Sequence, residues 1–236
     1  MTTISHNLQR VRERIQAACA GANRPVNEVT LLAVAKTFGP DAVREAFAAG
    51  QIAFGENYIQ EGVEKIGLLQ DLPLQWHCIG PIQSNKTRLV AAHFDWAHTV
   101  DRLKIAQRLA EQRPEGLAPL QVCIQVNIDG GAAKSGVEPR DALALAREIS
   151  QLPRLVLRGL MTIPEPSPDL AAQKAVHARA RALFDELRAA GLAIDTLSMG
   201  MTADLEAAVA AGSTMVRVGT AIFGGRTATS SASPGA

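Results

Sequence analysis

Short runs of apolar residues alternate with amphipathic segments along most of the chain. Eight of these runs have the length and the branched apolar content of buried parallel strands. They cover residues 29–35, 52–54, 74–79, 95–100, 120–127, 155–161, 194–198 and 214–218. Apolar positions at helical spacing lie between them, near residues 40–49, 57–69, 84–93, 101–112, 139–151, 169–190 and 202–211. This alternation of strand and helix predicts a parallel sheet with right-handed crossovers.

The exits of three predicted helices share the sequence Ala-Ala-Gly, which supports the alternation. Gly50, Gly191 and Gly212 each precede an apolar run, and glycine suits the left-handed conformation that ends a helix before an αβ loop. Eight βα units close into a barrel, so we predict an α/β protein with a (β/α)8 TIM barrel. An open, doubly wound sheet is the alternative. It has little support, because no GxGxxG motif follows the first strand.

Each end of the chain has a pattern of its own. The apolar residues of the N-terminal segment recur at helical spacing, at Ile4, Leu8, Val11, Ile15 and Ala18. They predict an extra amphipathic helix before the barrel. No linker rich in proline or glycine divides the chain, so we predict one barrel domain over residues 1–227. Residues 228–236 are rich in Ser, Ala, Pro and Gly, which predicts a disordered C-terminal tail.

Composition and charge disfavour several classes of protein. The 236 residues include 24 Lys and Arg and 23 Asp and Glu, so we expect neither nucleic acid nor a membrane as partner. No apolar run reaches membrane-spanning length, and the polar N-terminus lacks a signal-peptide pattern. Cys19, Cys78 and Cys123 are far apart and odd in number, which predicts neither a disulfide framework nor a metal site. A cytoplasmic protein fits these features.

Lys36 directly follows the first apolar run, where a buried strand gives way to a Gly-Pro loop. An ammonium in apolar surroundings tends to lose its proton, because desolvation disfavours the charged form. The neutral amine is a nucleophile that can form a Schiff base with an aldehyde. The alternative is an ordinary lysine that extends from the strand end into water. Since the strand ends of a barrel form its active-site rim, we expect a buried and reactive lysine here.

Small and hydroxyl-bearing residues follow the seventh and eighth strands. Ser198, Gly200, Gly219 and Thr220 belong to these two exits, where barrels often bind phosphate through backbone N–H groups. The alternative is that the glycines simply form tight βα turns. Because both exits carry the same chemistry, we predict a phosphate site. A phosphate site opposite Lys36 indicates a phosphorylated aldehyde as ligand.

Three more polar residues lie at the predicted rim. Arg217 shares the parity of Gly219 in the eighth strand. An inward arginine needs a buried partner such as a pyridine nitrogen, whereas an outward arginine would pair with an acidic residue. Asn57 suits either a hydrogen bond to a ligand or the N-cap of the next helix. Lys134, in the loop after the fifth strand, is either a solvated lysine or a second amine for the ligand.

The histidines of the predicted strands have no clear partners in the sequence. His77 lies alone in the third strand, and a lone strand histidine is more often a satisfied core residue than a catalyst. His93, Asp95 and His98 do not have the spacing of a metal site. We therefore interpret all of these residues as structural.

Eight short motifs follow one another in a fixed order. They are AVAKT (33–37), FGENY (54–58), WHCIGPIQSNK (76–86), QVNI (125–128), KSG (134–136), RGLM (158–161), LSMGM (197–201) and VRVGTAIFG (216–224). In this order and spacing they resemble the YggS/PROSC family of pyridoxal 5′-phosphate (PLP) homeostasis proteins. The chain departs from the usual family pattern at Cys78, where Phe is frequent, and at Thr202, where Ser is frequent. Both departures are mild, since Thr202 keeps the hydroxyl group and Cys78 affects only local packing.

The resemblance implies a PLP fold type III barrel, similar to the barrel domain of alanine racemase but without its second domain. It also implies PLP as the cofactor and a set of residues that hold it. These are Lys36 as the Schiff-base lysine, Asn57 near the ring, Arg217 facing the pyridine nitrogen, and Ser198, Gly219 and Thr220 at the phosphate.

The resemblance further implies a monomer that holds PLP for vitamin B6 homeostasis and delivers it to PLP-dependent apoenzymes. Two features argue against strong catalysis, so we expect no catalytic residues. Racemisation by two bases needs a second base, which alanine racemase takes from another domain, and Tyr58 is the only tyrosine of this chain. An arginine at the pyridine nitrogen would also weaken the ring as an electron sink.

Two alternative functions stay open on the sequence alone. The first is a PLP-dependent amino-acid racemase, with Lys36 as one base and His77 or a loop residue as the other. The second is a barrel enzyme that acts on a sugar phosphate, with Lys36 forming a Schiff base to the substrate.

Overall fold

A closed barrel of eight parallel strands forms the centre of the molecule. The computed structural model describes residues 2–131 and 135–225. Each strand pairs with the next, and the last pairs with the first. The strands are β1 Thr30–Val34, β2 Ala53–Glu56, β3 Gln75–Cys78, β4 Trp96–Val100, β5 Leu120–Gln125, β6 Leu155–Met161, β7 Thr196–Ser198 and β8 Met215–Val218. The predicted (β/α)8 barrel is confirmed.

Helices follow the strands, and one helix precedes the barrel. They are α1 Thr3–Gly21, α2 Pro40–Ala48, α3 Ile59–Leu68, α4 Thr87–His93, α5 Leu103–Gln112, α6 Ala142–Ile149, α7 Leu170–Ala189, α8 Leu205–Ala210 and α9 Thr220–Phe223. Short 3-10 turns lie at Val26–Glu28 and Pro139–Asp141. The extra helix is α1, as predicted. It buries Leu8, Val11, Ile15 and Cys19 and packs against α2, α8 and α9, so it covers the seam where β8 meets β1.

The three Ala-Ala-Gly exits have the predicted backbone. Gly50, Gly191 and Gly212 have φ angles of +82°, +91° and +97°, a region that favours glycine over residues with a Cβ. Each of these turns returns the chain to a strand. The pattern therefore identified three helix ends from the sequence correctly.

A close backbone contact sets the spacing between the exits of β2 and β3. A Cβ atom on Gly80 would lie 1.9 Å from the carbonyl oxygen of Asn57. Only glycine allows the two chain segments to approach so closely. This contact fixes the backbone of Asn57 at the end of the barrel where β1 also ends.

A buried ion pair lies between β2 and α3. Lys65 Nζ contacts Glu56 Oε1 at 2.6 Å and Glu61 Oε1 at 3.2 Å, and the side chain of Lys65 is only 4% exposed. Burial raises the pKa of Glu56 to about 7, although the attraction of Lys65 opposes that rise. Two charges removed from water at this position depend on each other for stabilisation.

This ion pair also holds the backbone on both sides of Lys36. Lys65 Nζ donates to the carbonyl oxygen of Ala35 at 2.9 Å. The backbone N–H of Thr37 donates to Glu61 Oε1 at 2.7 Å. Thr37 has a φ of +66°, which is strained for a β-branched residue, and the hydrogen bond to Glu61 helps to stabilise that conformation. The turn that carries Lys36 is therefore fixed by side chains of α3.

Two predictions fall on residues outside the described ranges, namely the C-terminal tail 228–236 and Lys134. The limits of the domain at residues 1–227 also stay a prediction. No helix in the described part of the chain combines the length and apolar character needed to cross a membrane.

Removal of the Lys65 cation should make stability depend strongly on pH. In Lys65→Met the Glu56 carboxylate loses its partner, so its pKa should rise beyond about 7. Folded Glu56 would then keep its proton at a pH where the unfolded chain has released it. The wild-type protein loses stability from this carboxyl group only as pH rises to about 7. The variant should go on losing stability above that pH, by up to about 1.4 kcal/mol per unit. We expect a loss of about 3 kcal/mol near pH 8 and a smaller loss near pH 5.5, measured by chemical denaturation.

Two controls accompany this measurement. Lys104→Met changes an exposed lysine of α5 and should alter stability little at either pH. Adding Glu56→Gln to Lys65→Met removes the unpaired carboxyl group and should abolish the extra pH dependence. An equal loss for Lys65→Met at both pH values would contradict the assignment.

The contact between Gly80 and Asn57 can be tested by adding one methyl group. Gly80→Ala would force the exits of β2 and β3 apart, because the new Cβ overlaps the Asn57 carbonyl oxygen. We expect a loss of about 2 kcal/mol or more in the free energy of unfolding. Gly67→Ala is the matched control, because nothing lies within 4 Å of its Cβ position and α3 should gain from alanine. Similar stability of the two variants would contradict the steric role assigned to Gly80.

Candidate functional site

A cavity of about 460 Å³ opens at the C-terminal ends of the strands. Its walls come from the exits of β1, β2, β3, β6, β7 and β8. Among the predicted site residues, five line it: Lys36, Asn57, Arg217, Gly219 and Thr220. The strand-end argument therefore placed these residues together correctly.

Lys36 reaches the cavity but is not buried. The preceding Ala35 is fully buried, whereas Lys36 is exposed, so the expectation of a lysine in apolar surroundings is wrong. The reason is local: β1 ends at Val34, and the turn at Thr37 directs the chain away from the packed strand. Within the described residues, no hydrogen bond or ion pair involves Lys36 Nζ. The amine is therefore accessible to a ligand in the cavity.

Asn57 contributes a buried acceptor without a partner. Its Oδ1 atom has no hydrogen-bond partner among the described residues. The alternative role as a helix cap does not hold, because Tyr58 is the N-cap residue of α3 and no side chain caps that end. Buried polar atoms are rarely left unpaired in proteins. The orphaned oxygen therefore suits a hydrogen-bond donor on a ligand.

Arg217 points into the barrel, which excludes the outward alternative. Its side chain is 4% exposed. Nη1 donates to Ser198 Oγ at 2.8 Å, and Nη2 donates to the carbonyl oxygen of Thr162 at 2.8 Å. Burial lowers the pKa of Arg217 to about 10, against the attraction of Asp204, so the guanidinium stays charged at neutral pH. Its two contacts in the described part of the chain are to uncharged oxygens, so its remaining N–H groups can donate to an acceptor on a ligand, either a ring nitrogen or an anionic oxygen.

Ser198 lies below the cavity and is not among the residues that line it. Its hydroxyl is fully buried and contacts Arg217 Nη1 and, at 3.1 Å, His98 Nδ1. His98 Nε2 in turn lies 2.9 Å from His77 Nδ1. The histidines that looked isolated in the sequence are thus hydrogen-bonded to each other. The register of β3 and β4 sets His77 beside Trp96, and His98 follows two residues later on the same face.

Two threonine hydroxyl groups belong to the wall at the exits of β7 and β8. Thr220 was predicted as a site residue and Thr202 was not, but both line the cavity. Thr202 does not begin the next helix, because the N-cap residue of α8 is Asp204, which accepts from the backbone N–H of Met201 at 2.7 Å. Thr202 is therefore a cavity residue that the predicted site omitted. Its hydroxyl group directly after the LSMGM motif was the signal for it.

A family comparison and a comparison with individual proteins agree on the family of this sequence. The family described as "Alanine racemase, N-terminal domain" matches residues 2–227. The pyridoxal phosphate homeostasis protein of Pseudomonas aeruginosa is 59% identical over 226 residues, which is 96% of this chain and 97% of that protein. The Escherichia coli K12 protein of the same name is 54% identical over 229 residues, 96% of this chain and 98% of that protein.

Solved structures have the same fold. PipY from Synechococcus elongatus PCC7942 with PLP bound has a TM-score of 0.82 at 40% identity, covering 94% of this chain and 100% of that chain. An alanine racemase of Clostridium difficile 630 has a TM-score of 0.71 at 15% identity, covering 92% of this chain and 57% of that chain. This second likeness shows the fold alone. The chain belongs to the alanine racemase N-terminal domain family and, within it, to the pyridoxal phosphate homeostasis proteins, as its motifs predict.

Proposed function

We propose that this protein binds PLP in the cavity, with covalent attachment at Lys36, and takes part in intracellular vitamin B6 homeostasis. One observation carries the proposal: an accessible amine, an unpartnered amide oxygen and a buried guanidinium meet in one cavity at Lys36, Asn57 and Arg217. PLP supplies an aldehyde, a phosphate and an aromatic ring with an acceptor nitrogen. The curated relatives that share more than half of the sequence carry the matching name.

Different residues of the cavity suit different parts of PLP. Lys36 offers its amine to the aldehyde, and Arg217 donates to the ring nitrogen. Thr202, Gly219 and Thr220 provide hydroxyl groups and backbone at the exits of β7 and β8, where we place the phosphate, as barrels of this type often do. In this proposal Ser198 supports the ligand through Arg217, because its hydroxyl is already engaged inside the barrel.

The residues that line the cavity suit the binding of a ligand better than its chemical conversion. Lys36 and Arg217 are the only ionisable side chains among the described residues that line it. His77, the candidate second base, is fully buried, and burial lowers its pKa to about 3. Tyr58 is 54% exposed and is not a lining residue. A racemase that works with two bases would lack the second base in this cavity.

The remaining parts of the proposal concern the recipients of PLP, the oligomeric state and the location of the protein in the cell. A protein that holds PLP without consuming it can release it to PLP-dependent apoenzymes, which we propose as recipients. We further propose a monomer in the cytoplasm. The near balance of charge fits a protein that binds neither nucleic acid nor a membrane surface.

Covalent attachment at Lys36 can be mapped directly. After incubation with PLP and reduction with borohydride, we expect the modification on the peptide that contains Lys36, identified by mass spectrometry. Lys36→Met should lose this modification, whereas Lys86→Met, which changes the residue before α4, should keep it. An unmodified Lys36 in the wild-type protein would overturn the proposed attachment.

Solvent deuterium exchange separates a PLP carrier from a racemase. The PLP-loaded protein should exchange the α-proton of amino acids no faster than free PLP, because the described cavity wall provides no second base. Proton NMR of alanine in D2O gives the rate, and an authentic racemase serves as the positive control. Rapid exchange with interconversion of the enantiomers would establish the racemase alternative instead.

A further inference from the structure

A chain of hydrogen bonds crosses the barrel interior from the cavity to the opposite end. It starts at Arg217 Nη1, passes through Ser198, His98 and His77, and ends at Gln75 Oε1, with contacts of 2.8, 3.1, 2.9 and 3.0 Å. We call Ser198, His98, His77 and Gln75 the polar relay. Gln75 is exposed at the start of β3, whereas the other three residues are buried. The relay and Arg217 come from β3, β4, β7 and β8, so their contacts depend on barrel closure.

The relay has one arrangement of hydrogens that gives every contact a donor and an acceptor. Gln75 Oε1 can only accept, so His77 donates to it from Nε2 and, as a neutral ring, accepts at Nδ1. His98 therefore donates from Nε2 to His77 Nδ1 and accepts at its own Nδ1. Ser198 then donates its hydrogen to His98 Nδ1, and its oxygen accepts from Arg217, since a guanidinium can only donate. Every member is satisfied only when the hydrogens run from Arg217 towards Gln75.

The surroundings keep both histidines neutral and in place. Burial lowers the pKa of His77 to about 3. Burial, with His77 and Arg217 nearby, also lowers the pKa of His98 well below its usual range. The His77 ring stacks on Trp96 with centroids 5.1 Å apart. A buried polar network of this kind is favourable only when fully satisfied, so each member restricts the orientation of the next.

We propose that Ser198, His98 and His77 are positioning residues that fix the orientation of the Arg217 guanidinium and thereby make the cavity selective for a ligand with an acceptor ring nitrogen. The relay holds Nη1, and the Thr162 carbonyl oxygen holds Nη2. The remaining N–H groups are thus presented in a fixed direction. The identity of the ligand rests on the proposed function, whereas the restraint of Arg217 does not.

The selectivity part of the proposal can be tested with two ligands. PLP and an analogue with a carbon in place of the ring nitrogen differ only at the atom that Arg217 would contact. We expect the wild-type protein to bind PLP about tenfold more tightly, as one charge-assisted hydrogen bond implies. Ser198→Ala and His98→Phe should reduce this preference to about threefold or less. His93→Gln, which changes an exposed histidine outside the relay, should leave it unchanged.

The restraint of Arg217 can be tested without any ligand. Nitrogen-15 NMR of the PLP-free protein should show slow rotation of the Arg217 guanidinium and both relay histidines in the Nε2–H form. Ser198→Ala and His98→Phe should release that rotation, whereas His93→Gln should not. Circular dichroism confirms that each variant is folded, and if His98→Phe does not fold, Ser198→Ala decides the test.

The outcomes separate this proposal from its rivals. If Ser198 instead contacts the phosphate, Ser198→Ala will weaken both ligands equally and leave the guanidinium signals unchanged, which overturns the proposal. Histidines protonated on Nδ1, or titrating between about pH 5 and 8, would also overturn it. If the protein binds neither ligand, the proposed function fails, and the NMR measurement still decides whether the relay restrains Arg217.

Discussion

The pairing of β8 with β1 is the constraint on which the cavity depends. This pairing sets Leu32 beside Arg217 and Ala33 beside Val218. It therefore brings the exit that carries Lys36 next to the exit that carries Gly219 and Thr220. No local segment contains both the amine and the exit of β8. The site exists only because the sheet closes on itself, in keeping with the rule that barrels assemble their active sites from several strand ends.

The cavity combines an accessible amine with a buried guanidinium, and the two are supported differently. Lys36 stands on a turn whose peptide groups are held by Lys65 and Glu61, so its backbone is fixed while its side chain stays free. Arg217 has a side chain held by two acceptors inside the barrel. In the proposed function, covalent attachment requires a Lys36 side chain that is free to reach the aldehyde of the ligand. Recognition of one ring atom instead requires a guanidinium held in a fixed direction. The two supports suit these different tasks.

The sequence predicted the barrel well, because each strand is a compact apolar run and each helix has a regular amphipathic pattern. It also predicted most of the cavity wall, since the exits of parallel strands must meet at one end. Residues whose role depends on a turn or on strand register were harder to predict. The exposure of Lys36 follows from the backbone at Thr37, and the contact of His77 with His98 follows from the pairing of β3 with β4. Neither leaves a signal in a single run of residues.

The position of α1 across the barrel seam has a consequence for the order of events during synthesis. Asn7 donates to the carbonyl oxygen of Ile222, and Arg14 contacts Glu206 and the carbonyl oxygen of Thr202. Helix α1 is therefore synthesised before these partners and finds them only after β8 and α9 have been made. Lys36 is likewise synthesised before the exits of β7 and β8 that complete its cavity. The amine is thus present during synthesis before the cavity around it exists, and the cavity forms only when β8 pairs with β1.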